Sequence, residues 1–339
     1  MIDLKSLPLE EITALLSSWN QPTFRGKQIF KWLHRGVTSF DEMTDIPKAL
    51  REQLKKNCTL TTLEMIQKQV SAQDGTIKYL WELPDGNRVE TVLMKYAHGN
   101  TVCLSSQVGC AMGCRFCAST IGGKVRDLTP AEIIDQVLFT KLDLGEEISN
   151  IVLMGIGEPL DNFESVMTFL TLVNHELGLH IGMRHISLST CGLVKGIDKL
   201  AQYGLQLTLS VSLHAPDDET RTKLMPVNLG ANVAEVMTAC RAYFEKTGRR
   251  ISYEYAMIDG VNDSDEQADL LAKLLKGTPS HVNLIPLNLV EESAYRPSKR
   301  VATFQKRLES KGITATVRRR LGGDIDASCG QLRRKNQKI

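Results

Sequence analysis

Residues 103–120 read CLSSQVGCAMGCRFCAST, and the spacing of their thiols decides how the rest of the chain is read. Cys110, Cys114 and Cys117 form a CxxxCxxC pattern in a loop that contains Gly109 and Gly113. Three thiolates so arranged can hold three irons of a 4Fe–4S cubane and leave the fourth iron open. Structural zinc is the competing reading. It asks for a fourth protein ligand, and none follows within the next seventy residues, although Cys103, seven residues upstream, could serve.

Outward from this loop, short apolar strands alternate with amphipathic helices six times. Strands are expected near 101–105, 151–154, 185–189, 207–213, 251–257 and 281–286, with another near 314–318. The first helix opens on TPAE, where Thr129 and Glu132 form a capping box and Pro130 takes the first helical position. Such alternation implies an α/β fold with a parallel sheet, open or closed into a barrel. Ligands then bind at the strand C-terminal ends, where the thiol loop lies.

Upstream, residues 1 to about 58 read as three short helices with Gly or Pro between them, PLEEITALLSSW, RGKQIFKWLHRG and IPKALREQLKKN. Lys27, Lys31 and Arg35 recur every four residues on the second. LEMIQKQV, TIKYLWEL and RVETVLMKY, separated by AQDG and PDGN, read as three strands of a small antiparallel sheet. The expected divisions are a helical domain at 1–60, an antiparallel β extension at 61–98, the core at 99–320 and a C-terminal loop and basic tail at 321–339.

The net charge is only +2, but Arg318, Arg319 and Arg320 form one basic run and Arg333, Arg334, Lys335 and Lys338 another. Charge alone leaves these as solvated surface or a phosphate-binding patch. No apolar segment approaches the roughly 18 residues of a membrane span, and the N-terminus lacks a signal h-region, so a cytoplasmic protein is expected. In a reducing compartment the eight cysteines point to metal or catalysis more than to structural disulfides. Cys58, Cys191 and Cys240 read as small packing residues, Cys191 being nearest the predicted site.

CxxxCx(aromatic)C, with Phe116 as the aromatic, after the first strand of a strand–helix core resembles the radical S-adenosylmethionine (SAM) superfamily. NRVETVLMKY, MGIGEPLDN, ISLSTCG, SLHAPDDETRTKLMPVN, HVNLIPLN and DIDASCGQLR occur in the order seen in the ribosomal and transfer RNA adenine methyltransferases that modify carbon 2. The likeness runs from residue 20 to 334. A homologous carbon 8 methyltransferase that confers antibiotic resistance shares the same cysteines. FCASTIGG and GEPLDN look more like the carbon 2 branch.

The resemblance implies a partial (β/α)6 barrel, one 4Fe–4S cluster on Cys110, Cys114 and Cys117, and two SAM molecules per turnover. It implies Cys329 as the methyl carrier, Cys103 as the residue that resolves the adduct through a Cys103–Cys329 disulfide, and Glu90 as proton acceptor. SAM contacts by similarity are Gly157, Glu158, Ser189, Ser212, Leu213, His214 and Asn288. Without the resemblance Glu90 would read as a surface strand carboxylate and Cys103 as a buried strand thiol. The implied partners are 23S rRNA before full ribosome assembly, tRNA, and an electron donor such as flavodoxin or ferredoxin, with the chain a monomer and no membrane. The basic runs then become candidate RNA contacts, and the glycines and acids of GGDIDASCG suggest a mobile loop carrying Cys329.

Overall fold

The computed structural model describes residues 1–288, 293–325, 327 and 332; Cys329 and the basic run at 333–338 lie outside them. The N-terminal part holds strand β1 (Ile2–Asp3), helices α1 (Leu9–Ser18), α2 (Phe24–Leu33) and α3 (Lys48–Asn57), and strand β2 (Cys58–Thr59), which pairs in parallel with β1. Helical spacing puts Ile12 and Leu16, Ile29 and Leu33, and Leu50 and Leu54 on inward faces, and all six are buried.

The next strands are β3 (Glu64–Val70), β4 (Ile77–Glu82), β5 (Arg88–Tyr96) and β6 (Gly99–Cys103). The thiol loop is flanked by β7 (Gln107–Gly109) and β8 (Lys124–Asp127). There follow α4 (Pro130–Leu144), β9 (Ile148–Leu153), α5 (Phe163–Asn174), β10 (Ile186–Thr190), α6 (Val194–Gln202) and β11 (Thr208–Ser212). The remainder is α7 (Asp218–Leu224), α8 (Val233–Thr247), β12 (Ile251–Met257), α9 (Asp265–Leu275), β13 (Ser280–Pro286), α10 (Val301–Ser310) and β14 (Ala315–Val317). All seven strands expected beyond residue 100 are present.

One ten-stranded sheet runs β14-β13-β12-β11-β10-β9-β6-β5-β4-β3 and does not close. From β6 to β14 every pairing is parallel, as strand–helix alternation requires. The three antiparallel strands do not make a sheet of their own. β5 pairs antiparallel with β6, whose other edge pairs parallel with β9, so the hairpins extend the core sheet. The physical reason is coverage. Tyr79, Leu80 and Trp81 are consecutive and all buried, so β4 needs apolar cover on both faces.

Helix α4 supplies one of those covers. Tyr79 donates to Asp143 at 2.7 Å, Thr91 Oγ1 donates to Gln136 Oε1 at 3.1 Å, and Trp81 packs against Phe139. The capping box holds: Glu132 N–H donates to Thr129 Oγ1 at 3.2 Å and Thr129 N–H to Glu132 Oε2 at 2.9 Å. The same helix anchors the N-terminal part, because Lys5 Nζ lies 3.0 Å from Asp135 Oδ1 with both side chains buried. No helix among the described residues is long and apolar enough to cross a membrane.

Candidate active site

At the C-terminal ends of the parallel strands a cavity of about 260 Å³ opens. Its wall includes Cys110, Cys114, Phe116 and Cys117 from the thiol loop, Gly157 and Glu158 after β9, and Ser189, Ser212, His214 and Asn288 from later strand ends. Every predicted cluster thiol and all but one of the predicted SAM contacts therefore share one space. The exception, Leu213, is buried behind the wall.

Main-chain bonds shape the thiol loop. β7 and β8 pair across its base, Cys110 N–H donates to Gly123 O at 3.2 Å, and Gly109 has φ +79 with Gly123 where a Cβ would lie. Thr120 Oγ1 donates to the carbonyls of Cys114 and Cys117 at 3.2 and 2.9 Å. Phe116 stands edge-on to His214, with ring centroids 4.9 Å apart. Burial pushes the Cys110 thiol up to about 12 and raises Cys114 further, and neighbouring thiols add to the effect. Three thiolates are costly in such a space unless a cationic centre compensates them.

The GIGEP loop is fixed by its buried carboxylate. Glu158 Oε2 accepts from Cys191 N–H at 2.7 Å and Oε1 from Leu160 N–H at 3.0 Å. Burial raises its pKa, while these two donors favour the charged form. Gly157 has φ +111, and a Cβ there would fall 2.7 Å from both Ser106 Oγ and Gln107 Cβ. His214 Nδ1 accepts from Ala256 N–H at 2.9 Å, and burial lowers its pKa to about 3, so the ring is neutral with its proton on Nε2.

A second cavity of about 160 Å³ adjoins the first. Cys103, Val92 and Tyr96 line it together with Arg318, Arg319 and Arg320. Met154, Ile285, Asn288 and Arg318 belong to both walls. Cys103 thus opens onto the neighbouring space and is not part of the wall that holds the three loop thiols. Glu90 is buried on β5, two residues from Val92, the strand partner of Cys103, and its Oε2 lies 2.9 Å from Lys78 Nζ. The reading of Glu90 as a surface carboxylate is therefore corrected. Cys329 lies outside the described residues.

Residues 104–309 match the radical SAM superfamily, and residues 2–60 match the ribosomal RNA large subunit methyltransferase N-terminal domain. The probable dual-specificity RNA methyltransferase RlmN of Alkaliphilus oremlandii is 53% identical over 337 residues, 99% of this chain and 98% of that protein. The corresponding protein of Desulforamulus reducens is 52% identical over 98% of this chain and 96% of its own length. The crystal structure of a radical SAM methyltransferase from Sphaerobacter thermophilus superposes with TM-score 0.92 at 44% identity, covering 98% of this chain and 99% of that one. The chain belongs to the RlmN family of radical SAM proteins.

Membership of the radical SAM superfamily implies a 4Fe–4S cluster and SAM. The donor set fits. Among the described residues no three Cys, His, Asp or Glu side chains converge on a single ion-sized point. A cubane does not ask for that, because each thiolate holds a different iron.

Several residues that complete this site carry little or no signal in the sequence pattern. Gln107 Oε1 accepts from Glu158 N–H at 2.9 Å, and its Nε2 donates to Asp127 and Asp161, each at 2.8 Å, so it ties the GIGEP loop to the base of the thiol loop. Asn262 Nδ2 donates to the carbonyls of His214 and Ala256, both at 2.7 Å. Glu254 is a buried carboxylate in the first cavity, accepting from Asn283 Nδ2 at 2.8 Å with Arg318 Nη1 at 3.9 Å. It alone has a trace in the chain, an acid inside an otherwise apolar strand, ISYEYAM. Cys191, expected as a packing residue, is buried in the cavity wall, whereas Cys58 and Cys240 pack within the core.

Proposed function

We propose that this chain methylates carbon 2 of an adenosine in 23S rRNA before the particle is assembled, and of the adenosine beside the anticodon in tRNAs. The observation that carries the reading is the pair of adjoining cavities. One is walled by Cys110, Cys114, Cys117 and the GIGEP loop, the other by Cys103 and three consecutive arginines. The roughly half-identical relatives named as dual-specificity RNA methyltransferases support the RNA substrate.

Carbon 2 of adenine lies between two ring nitrogens, is electron-poor, and does not attack a methyl cation donor. A cluster and SAM, when bound, supply the 5′-deoxyadenosyl radical that such a carbon requires. Cys110, Cys114 and Cys117 would hold the cluster, fed by a donor of flavodoxin or ferredoxin type, and Glu158, Gly157, Ser189, Ser212, His214 and Asn288 would orient SAM, with Leu213 supporting the wall from behind.

The remaining work falls to thiols and a carboxylate. Cys329 takes a methyl group from one SAM by displacement, and a second SAM serves the radical step, so two are used per turnover. The carried methyl, after loss of a hydrogen atom, joins carbon 2 and links the base to Cys329. Glu90, buried beside Lys78 and two residues from the wall of the second cavity, takes the carbon 2 proton. The electron freed with that proton returns to the donor side. The Cys103 thiolate then attacks Cys329 Sγ, the sulfur–methylene bond breaks, and the methylene leaves on the base as a methyl group after taking up a proton, so the thiols end as a disulfide that is reduced before the next turnover. Arg318, Arg319 and Arg320 contact RNA phosphate, and the adenine enters flipped from its stack.

Nucleoside mass spectrometry of rRNA and tRNA from a deletion strain tests this. Loss of 2-methyladenosine, restored by the intact chain and not by Cys329→Ala, is expected. Loss of 8-methyladenosine instead would move the assignment to carbon 8. A colourless zinc protein that cleaves no SAM under reductant would sink the enzyme reading.

A further inference from the structure

Arg221, in the middle of α7, is fully buried, and only neutral acceptors hold its guanidinium. Nε donates to Leu213 O at 3.2 Å, Nη2 to Cys191 O at 2.5 Å and Nη1 to Asn228 Oδ1 at 2.7 Å. Among the described residues no carboxylate forms an ion pair with it. Asp218 reaches it only through Asn228, whose Nδ2 donates to Asp218 Oδ1 at 3.0 Å. A buried cation without a counterion is disfavoured, and proteins seldom leave one so.

The position of the guanidinium names what could balance it. Two of its three bonds end just past the C-terminal tips of β10 and β11, on Cys191 and on Leu213, the neighbour of His214, and both Cys191 and His214 line the first cavity. Cys191, whose carbonyl takes the Nη2 bond, shares the wall of that cavity with Cys110, Cys114 and Cys117. A four-iron core held by three thiolates is net negative and becomes more so on one-electron reduction, and net charge is among the factors that set such potentials.

We propose that Arg221 is the built-in countercharge of the cluster, raising its reduction potential while it fixes the strand tips that line the SAM space. The inference rests on Cys110, Cys114 and Cys117 holding that cluster. Arg221 is a positioning residue here. Its forked bonds alone would account for a strap, but not for a buried charge with no acid beside it.

The test is a redox titration of anaerobically reconstituted protein without SAM, with dithionite as reductant, following the reduced cluster by electron paramagnetic resonance. Arg221→Gln is expected to move the midpoint to a more negative potential, and Arg221→Lys, which keeps the charge, to leave it near that of the unmodified chain. Asn228→Asp keeps the guanidinium but sets a carboxylate on Nη1, and is expected to move the midpoint the same way as Arg221→Gln. A mere strap predicts lower stability in both Arg221 variants with no change of midpoint. An unchanged midpoint in Arg221→Gln overturns the proposal, and if that variant takes up no cluster, an unchanged midpoint in Asn228→Asp does so. Iron analysis separates the two readings: an unmodified chain that binds no iron at the three thiols overturns the cluster assignment and this inference with it.

Discussion

Lys78 Nζ lies 2.9 Å from Glu90 Oε2, and both side chains are shut away from solvent. Removing one partner of a buried pair costs about 3–5 kcal/mol, whereas replacing both is far milder. Lys78→Met is therefore expected to lose about that much stability, and Lys78→Met with Glu90→Gln to recover most of it. Urea unfolding of the four chains of this cycle measures the coupling. A double variant no more stable than Lys78→Met would show that the two charges do not depend on each other.

His34 predicts an acid-sensitive fold. Its Nδ1–H donates to Phe30 O at 2.9 Å, its Nε2 has no hydrogen-bond partner among the described residues, and burial lowers its pKa to about 4. The unfolded side chain takes up a proton near pH 6.5 and the folded one only near 4. Stability from the neutral ring is complete above 6.5 and lost as pH falls through that window, by roughly 3 kcal/mol in all. His34→Asn, whose amide imitates Nδ1–H, should start less stable at pH 8 yet show a shallower loss between pH 6.5 and 4. Denaturant midpoints across that range decide; equally steep curves would clear His34.

Two glycines with positive φ should respond differently to alanine. At Gly157 an added Cβ meets Ser106 and Gln107 at 2.7 Å, while at Gly204, with φ +60, nothing lies within 4 Å. Both substitutions carry backbone strain of about 1–3 kcal/mol, but only Gly157→Ala adds a clash and displaces the GIGEP loop. It should be the less stable by urea unfolding and should bind SAM more weakly by calorimetry, with Gly204→Ala unaffected in binding. Equal losses in both would mean that the loop yields without cost.

Glu158→Gln tests the buried carboxylate. Both of its oxygens accept main-chain N–H bonds, from Cys191 and Leu160. An amide must turn its NH2 toward one of those donors, and a bond to a charged group contributes about 1.5–3 kcal/mol. A stability loss of that size with weaker SAM binding is expected. Unaltered unfolding would show that another acceptor takes over.

Short apolar runs between helices make the seven core strands legible along the chain, and period-3.6 patterns the N-terminal helices, because a strand covered on both faces is apolar throughout while a surface helix buries one face. The β7–β8 ladder is not legible: strands of three and four residues are too short to display a period, and they exist because the thiol loop must fold back on itself. Gln107 and Asn262 look like ordinary polar residues along the chain, and Glu254 shows only as an acid inside an apolar strand. Their importance lies in bonds to segments 6 to 54 residues away, which hydrophobic patterning does not register.

The sequence by itself determined the chemistry on offer: three thiols at cluster spacing in a loop after the first core strand, a GIGEP turn whose glycine tolerates φ +111, and strand ends rich in small polar residues. Local spacing and backbone freedom are properties of neighbouring residues, so they survive in one dimension. Only the tertiary structure decided that Cys103 faces Arg318–Arg320 across a second cavity, that Glu90 is buried against Lys78, and that Arg221 lies charged behind the cavity wall. Those relations depend on burial and on contacts between distant segments, and the free energy of a charge is set by what surrounds it rather than by what precedes it in the chain.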